Sequence, residues 1–364
     1  MKDVRKVSKT TIMLKTGGLG DLLMLTPSIR AYKKSFPDEK IVFLIGKSNE
    51  QTLQNNPYIN QIIPVDDSAF FKGGFLRKLL SSLRLIQIIK NYKPQHLFIF
   101  HRDWRWNLVA FLSRIRQRYG FKRDFKGKFL TESVEASIEE HEIQKYLNVC
   151  ALRPGFTPDG VEMEIFPSIG DQTFVEELFS DLTGNKKYIA MSPGGAANIK
   201  EEMDIRRWPL NYYKMLVRFI LNKTDGSILL IGAESDNSFN EELLVDQQRV
   251  FNLAGKTTIA QTYLTLQRCR VFITHDSGPM HIGAAAQIPV IGLFGPTYPV
   301  EKYPLTHPLS LYIWEGSKLT CSPCYKDGNF PECPYDKKCM RLISPEEVFE
   351  RLLKICEVSN HTFS

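Results

Sequence analysis

The stretch TIMLKTGGLGDLLMLTPSIRAYKKSF, residues 11–36, decides the fold class. It opens on a short apolar run, TIML, that reads as a β-strand. Gly17, Gly18 and Gly20 then punctuate the chain, and from Asp21 onward the apolar residues recur at helical spacing. A strand that runs through a glycine turn into a helix is the building unit of a parallel sheet, because the helix carries the chain back for a right-handed crossover. The unit recurs. KIVFLIG (40–46), QIIPV (61–65) and HLFIF (96–100) read as strands, FLRKLLSSLRLIQIIKNY (75–92) as a helix, and 48–55 as a polar helix. The strands are continuously apolar rather than alternating, as in a sheet covered on both faces.

The stretch ALRPGFTPDGVEMEIFPSIGD (151–171) is rich in proline and glycine and has little helical period, which marks a domain boundary. Beyond it the alternation restarts. KYIAMSPGG (187–195), SILLIGA (227–233), VFITHDSG (271–278) and PVIGLFGPT (289–297) read as strands running into turns, with helices at 210–222 and 259–269 between them. SPEEVFERLLKIC (344–356) closes the chain with a capping box of Ser344, Pro345 and Glu347. The expected organisation is α/β, with two Rossmann-like doubly wound parallel-sheet domains at 1–165 and 166–342 and a C-terminal helix at 343–358. In such folds a ligand sits beyond the C-terminal ends of the strands.

The totals are those of a globular protein. Of 364 residues, 43% are hydrophobic and 24% charged, and 47 basic side chains against 40 acidic ones give a net charge of +7. That mild excess suits an anionic substrate or surface. No apolar run approaches the roughly 18–20 residues that span a bilayer. The basic N-terminus is followed by an apolar stretch too short for a signal peptide. The expectation is a cytoplasmic protein, with any membrane contact peripheral.

The opening glycines do not make a dinucleotide site. That fingerprint needs a third glycine where Leu23 stands, and an acid at the end of the second strand where Lys47 stands. What remains is a tight turn that lets another molecule approach the backbone, with Asp21 in the first helical turn beside it. A helix-start acid is a common bland account of such a residue. Three glycines clearing space around the carboxylate favour a role in chemistry.

THDSGPMHIGAAA (274–286) leaves a strand and opens a small-residue helix. Asp276 or Ser277 can cap it, Gly278 frees the backbone, and Pro279 suits the first turn. Free N–H groups and the helix dipole make an anion site there, and a diphosphate fits. His281 follows one turn on. MSPGGAANIKEEMDIRRWP (191–209) repeats the logic: a strand, two glycines, then Arg206 and Arg207, whose guanidinium forks suit phosphate oxygens. Glu234 follows a strand, where a carboxylate can accept a ribose hydroxyl or simply start a helix.

The basic, aromatic segment 100–129 has three readings: single-strand nucleic-acid binding, a face toward anionic lipid, and an amphipathic helix with a solvated basic face. The last carries the most weight. Of seven cysteines, Cys150, Cys269 and Cys356 read as buried thiols in helices or at their ends. Cys321, Cys324, Cys333 and Cys339 are spaced C-x₂-C-x₈-C-x₅-C. Four clustered thiols can hold structural Zn, but only one half is a CxxC, and reduced thiols packing a loop weigh more.

GGLGDLLMLTPSIRAYK, SPGG, RRWP, IGAESD, NLAGKTTIAQ, HDSGPMHIGAAA, GLFGPT and CSPCY…CM occur in this order. Together they resemble the lipopolysaccharide heptosyltransferases, glycosyltransferase family nine. GDLLMLTP and HDSGPMH with GLFGPT are the specific parts. The resemblance implies a GT-B fold, two Rossmann-like domains facing across a cleft, the first binding acceptor and the second nucleotide sugar. It implies an inverting, metal-independent transferase that needs no cofactor. The donor is a nucleotide diphosphate sugar, typically ADP-heptose. The acceptor is a lipid-linked glycan, typically the lipopolysaccharide inner core, at the inner face of the cytoplasmic membrane, and nucleic acid is no partner. By the same resemblance Asp21 is the general base, Gly17, Gly18 and Gly20 form the acceptor loop, and an arginine before Trp-Pro (Arg206 or Arg207) contacts the donor phosphate. Asp276, Ser277, Gly278 and His281 hold donor sugar and diphosphate, and Glu234 the ribose. Two alternatives remain open: a GT-B nucleotide-sugar epimerase, and a non-catalytic binder of nucleic acid or lipid through 100–129.

Overall fold

The computed structural model describes residues 9–122, 127–182, 187–195, 204–325 and 331–362. The chain divides into two compact units, Met1–Glu162 and Met163–Ser364.

The first unit runs β1 (Thr10–Lys15), α1 (Leu19–Ser35), β2 (Lys40–Gly46), β3 (Gln61–Val65), α2 (Asp67–Lys72), α3 (Phe75–Asn91), β4 (His96–Ile99), α4 (Trp104–Leu112), β5 (Gln117–Phe121), β6 (Glu132–Val134) and α5 (Glu142–Ala151). Its six strands lie in the order β3-β2-β1-β4-β5-β6, every pair parallel. β1 and β2 are buried almost end to end, which is why their sequences are apolar without alternation. Ile12, Leu14, Val42, Leu44, Leu97 and Ile99 face one core with Leu85 and Ile89 of α3 and Val109 of α4.

The second unit runs α6 (Ile169–Asp181), β7 (Tyr188–Ser192), α7 (Leu210–Lys223), β8 (Ser227–Leu230), α8 (Asn237–Glu241), β9 (Val250–Asn252), α9 (Ile259–Gln267), β10 (Cys269–His275), α10 (Gly278–Ala285), β11 (Val290–Phe294), β12 (Leu311–Trp314), α11 (Lys338–Arg341) and α12 (Pro345–Thr362). The order β12-β11-β10-β7-β8-β9 is the same topology as the first sheet, again parallel throughout. α7 buries Tyr213, Leu216, Val217 and Ile220, a spacing that puts them on one stripe toward the sheet. Trp208, just before α7, is buried and donates its indole N–H to the Ile343 carbonyl at 3.0 Å. Ser344 Oγ accepts from the Glu347 amide at 3.1 Å, the first half of the expected capping box.

Several local expectations are corrected. The polar helix expected at 48–55 is a 3-10 helix, Lys47–Leu53, interrupted at Asn49, rather than an α-helix. The 100–129 segment is no single amphipathic helix: α4 ends at Leu112 and the chain enters β5, with 123–126 outside the described residues. Cys269 opens β10 rather than ending a helix. β5, β6, β9 and β12 are strands that the sequence pattern does not mark.

In each sheet the strand order reverses next to the first strand, between β1 and β4 and between β7 and β10. The loops leaving those strands flank the natural ligand crevice of a doubly wound sheet.

Candidate functional site

At the first reversal, the Thr16 amide donates to His101 Nε2 at 2.9 Å, tying the end of β1 to the end of β4. His101 stacks on Trp106 with ring centroids 4.3 Å apart. Lys15, the last residue of β1, is buried. Its ammonium donates to the Phe100 carbonyl at 3.2 Å, stands 3.2 Å from Asp21 Oδ2, and lies 5.2 Å from the Tyr146 ring centroid. Asp21 sits in the first turn of α1 with 28% of its side chain exposed, so an incoming hydroxyl can reach it.

The glycines serve different purposes here. A Cβ on Gly17 would lie 3.1 Å from Asp21 Oδ2 and 3.2 Å from Lys15 Cε, so any larger residue there would press on both partners of the ion pair. A Cβ on Gly18 would meet nothing within 4 Å, leaving an open approach. Gly20 lies inside the first turn of α1.

Beneath this pair lies a set of charges from α5 and the β4 loop. Arg102 pairs with Glu142, and Lys145 Nζ is 3.6 Å from the same carboxylate. Burial, and then the Asp21 and Glu142 carboxylates, push the Tyr146 phenol well above its usual range, so it stays neutral. Of this set only Lys15 lay in the opening stretch. His101, Arg102, Glu142, Lys145 and Tyr146 come together through the tertiary fold and carry no local signal.

At the second reversal, Asp276 follows β10 and is buried. Arg206 NH1 approaches its Oδ2 at 3.5 Å. Burial opposes the Asp276 charge, but Arg206, Lys302 and the Thr297 hydroxyl outweigh it and hold the carboxyl below its usual range. Arg207 lies over the Phe239 ring, 4.6 Å from its centroid, and 3.5 Å from Asp204. The arginine beside Asp276 is therefore Arg206.

Ser277 stands at the N-cap of α10 but does not cap it with its side chain. Its hydroxyl is 3.3 Å from Thr274 Oγ1 instead. Pro279 has no N–H and the Met280 amide donates to the Ser277 carbonyl at 3.2 Å, so what this terminus offers an anion is the positive end of the helix dipole and the Gly278 backbone. Gly195 (φ +72°) lies over Ser277: a Cβ there would be 3.4 Å from both Ser192 Oγ and Ser277 Oγ. The loops after β7 and β10 therefore touch. His281 is buried in the first turn and a half of α10 and is an electrostatic neighbour of Asp276. His275, which carries no signal of its own in the sequence, is buried, and burial with Arg206 nearby lowers its pKa to about 3, so the ring is neutral.

Glu234 is exposed at the start of a 3-10 turn. The acid that organises this loop is Asp236, which accepts from the Gly195 amide at 3.0 Å and the Ala233 amide at 2.9 Å. A Cβ on Gly194 would lie 2.3 Å from the Asp236 carboxylate. Gly194→Ala must push that acid off both amides, and the expected cost is about 1–3 kcal/mol, read as a lowered midpoint of urea unfolding. The loop between Gly195 and Asp204, residues 196–203, lies outside the described residues.

Among the described residues no group of three or more His, Cys, Asp or Glu side chains is placed to hold a metal ion. Cys321 is exposed, Cys324 and Cys333 are half-buried and Cys339 is buried. Burial pushes the Cys339 thiol up to about 11. Among the described residues no helix is long and apolar enough to cross a membrane.

The two sheets thus share one topology, with Asp21 at the reversal point of the first and Asp276 beside Arg206 at that of the second. The model of glycosyltransferase family 9 (heptosyltransferase) matches residues 83–333. The chain belongs to that family. It is similar to lipooligosaccharide heptosyltransferase 2 of Campylobacter jejuni, 26% identical over 93% of this chain and 96% of the relative. The solved structure of Escherichia coli ADP-heptose LPS heptosyltransferase II overlays with a TM-score of 0.72 at 19% identity, covering 97% of this chain and 99% of that one. A family 9 glycosyltransferase from Veillonella parvula overlays at 0.76, with 20% identity over 95% and 97%. The fold is GT-B. Family 9 membership makes the chain a glycosyltransferase, which sets aside the epimerase and the non-catalytic binder.

Proposed function

We propose that this family 9 glycosyltransferase moves a heptose from ADP-heptose to the inner core of lipopolysaccharide, with inversion at the anomeric carbon. The observation that carries the proposal is Arg206 beside Asp276 at the start of α10, where no side chain caps the helix: a cation and the positive end of a helix dipole converge where a diphosphate would lie. The likeness to lipooligosaccharide heptosyltransferase 2 and to ADP-heptose LPS heptosyltransferase II supports this donor and acceptor.

In this reading an acceptor hydroxyl binds over Gly17 and Gly18. Asp21 takes its proton as the oxygen attacks the anomeric carbon, and the bond from that carbon to the diphosphate breaks on the opposite face. ADP leaves, and its developing charge is met by Arg206 and the positive N-terminal end of α10, with Ser277, Gly278 and His281 lining the same turn. Glu234 is placed to accept a ribose hydroxyl. The charge is thus met without a divalent metal, and a chelator should leave the rate unchanged. The acceptor is lipid-linked, so the protein works against the inner surface of the cytoplasmic membrane. No nucleic acid takes part.

A thermal-shift panel of ADP, UDP and GDP tests the donor: ADP should raise the midpoint most, since only a true ligand stabilises the native state by mass action. Arg206→Ala should weaken ADP by about 10–100-fold, the range for a lost charge-assisted hydrogen bond to a buried group. Equal shifts from all three nucleotides, or an unchanged ADP affinity in the variant, would overturn the assignment.

A further inference from the structure

Helix α3 carries a surface the transfer reaction does not use. Its C-terminal half is anchored, with Leu85, Ile86 and Ile89 buried against the first sheet. Its N-terminal half is not. Phe75 is 80% exposed, Leu76 72%, Leu79 45%, Leu80 56% and Leu83 54%. At 100° per residue, Phe75, Leu79 and Leu83 form one row and Leu76 and Leu80 the adjacent row, so the five make a single apolar arc. Arg84 and Arg77, the latter also 3.2 Å from Asp66 Oδ2, border one edge of that arc. Over its 17 residues α3 has four cations, Arg77, Lys78, Arg84 and Lys90, and no Asp or Glu. Five large apolar side chains together on one exposed face mark an interaction site rather than ordinary surface.

We propose that the N-terminal half of α3 docks this protein on an anionic lipid bilayer, with Phe75, Leu76, Leu79, Leu80 and Leu83 entering the interface and Arg77 and Arg84 meeting lipid phosphates. An apolar arc bordered by cations is the pattern of a helix lying in the interfacial plane, and each cation near an anionic leaflet adds attraction. The charge pattern selects a bilayer over a second copy of the chain. An isologous pairing of two α3 faces would bring like cations together with no acid on the helix to offset them. The inference deepens the proposed function, and rests on it for the reason a bilayer is the partner: a lipid-linked acceptor presents its hydroxyl at that surface.

The test is flotation of the full-length protein at about 0.15 M salt, where exposed charges more than about 8 Å apart are largely screened. Vesicles of phosphatidylglycerol with phosphatidylethanolamine are compared with phosphatidylcholine alone. The expected result is flotation with the anionic vesicles only. Flotation should fall about tenfold or more in Leu76→Glu/Leu80→Glu, since each change removes a buried leucine's transfer energy. Arg77→Glu/Arg84→Glu should lose it too. Both variants alter exposed positions and should keep the wild-type thermal midpoint and the wild-type rate on a deacylated core oligosaccharide in vesicle-free solution. Equal flotation of wild type and variants, or none by the wild type, overturns the surface. So does a change from dimer to monomer in sedimentation velocity caused by Leu76→Glu/Leu80→Glu with no flotation to lose, which would assign the face to a second copy. Absence of transfer to the oligosaccharide by the wild type counts against the proposed function and leaves the vesicle result to decide the surface.

Discussion

Asp21→Asn lowers transfer by about 10²–10⁴-fold, the range for a positioned general base, while the ADP-induced thermal shift stays at its wild-type size. The amide keeps the shape of the acid, so the close fit between Gly17, Asp21 and Lys15 is preserved. It cannot take a proton from an attacking hydroxyl. Because ADP binding is assigned to residues of the second unit, the loss should fall on kcat and leave donor KM nearly unchanged. A rival account makes Asp21 only the partner of the buried Lys15 ammonium, 3.2 Å away. Lys15→Met separates the two. It removes the pair but keeps the carboxylate, and Lys15 also serves the Phe100 carbonyl and the Tyr146 ring. If Asp21 is the base, Lys15→Met should retain far more activity than Asp21→Asn. Equal losses in the two variants, each with an equal drop in thermal midpoint, would make the pair structural and end the base assignment. The measurement is single-turnover transfer from ADP-heptose, with unfolding followed in parallel.

The contrast between the two units shows what sequence can and cannot carry. β1, β2, β7, β10 and β11 are central or near-central strands buried on both faces, so their apolar runs are plain in the chain. β5 (QRYGF), β6 (ESV), β9 (VFN) and β12 (LYIW) lie toward the sheet edges. They are short, partly polar and only partly buried, so nothing in their period separates them from loop. The site divides in the same way. Asp21 and the Asp276–Ser277–Gly278 turn belong to strand–turn–helix junctions and are visible as local patterns. Glu234 is visible too, yet the acid that fixes the loop is Asp236, two residues on, because only its position reaches the Gly195 amide. Arg206 and Arg207 are adjacent and chemically identical, and only the fold separates them by setting one against Asp276 and the other over Phe239. The exposed arc of α3 reads as an ordinary amphipathic helix until the structure shows which leucines are left uncovered.

The largest expected loss of stability comes from a contact that spans 114 positions in the chain. Arg153, just beyond α5, donates both ends of its guanidinium to Glu39, NH2 to Oε1 and NH1 to Oε2, each at 2.7 Å. The Thr11 hydroxyl donates to the same carboxylate at 2.9 Å, and the Tyr32 hydroxyl at 3.1 Å. Arg153 also lies 3.6 Å from the Phe36 ring centroid. The cluster joins β1, both ends of the α1–β2 connection and the exit of α5. Arg153→Met keeps the apolar stem but leaves a buried carboxylate without its cation, which costs about 3–5 kcal/mol and lowers the thermal midpoint of the unit on the order of 10 °C. Adding Glu39→Gln should recover part of the loss, since the stranded charge is then removed as well. The pH dependence checks the electrostatic origin. Burial opposes ionisation of Glu39, but the Arg153 fork and the Thr11 hydroxyl outweigh it and hold its pKa down to about 2, against 4.5 for the ordinary group. A depressed carboxylate pKa contributes stability that is complete above about 4.5 and is lost as the pH falls toward 2. In Arg153→Met burial is left to raise the Glu39 pKa instead, so the gap between wild type and variant should be widest at neutral pH, begin to close above pH 4.5 as the stranded carboxylate takes up a proton, and go on closing as the pH falls toward 2. A gap that stayed the same width at pH 3 would show that Arg153 acts through packing on Phe36 and Tyr32, and not through the Glu39 charge.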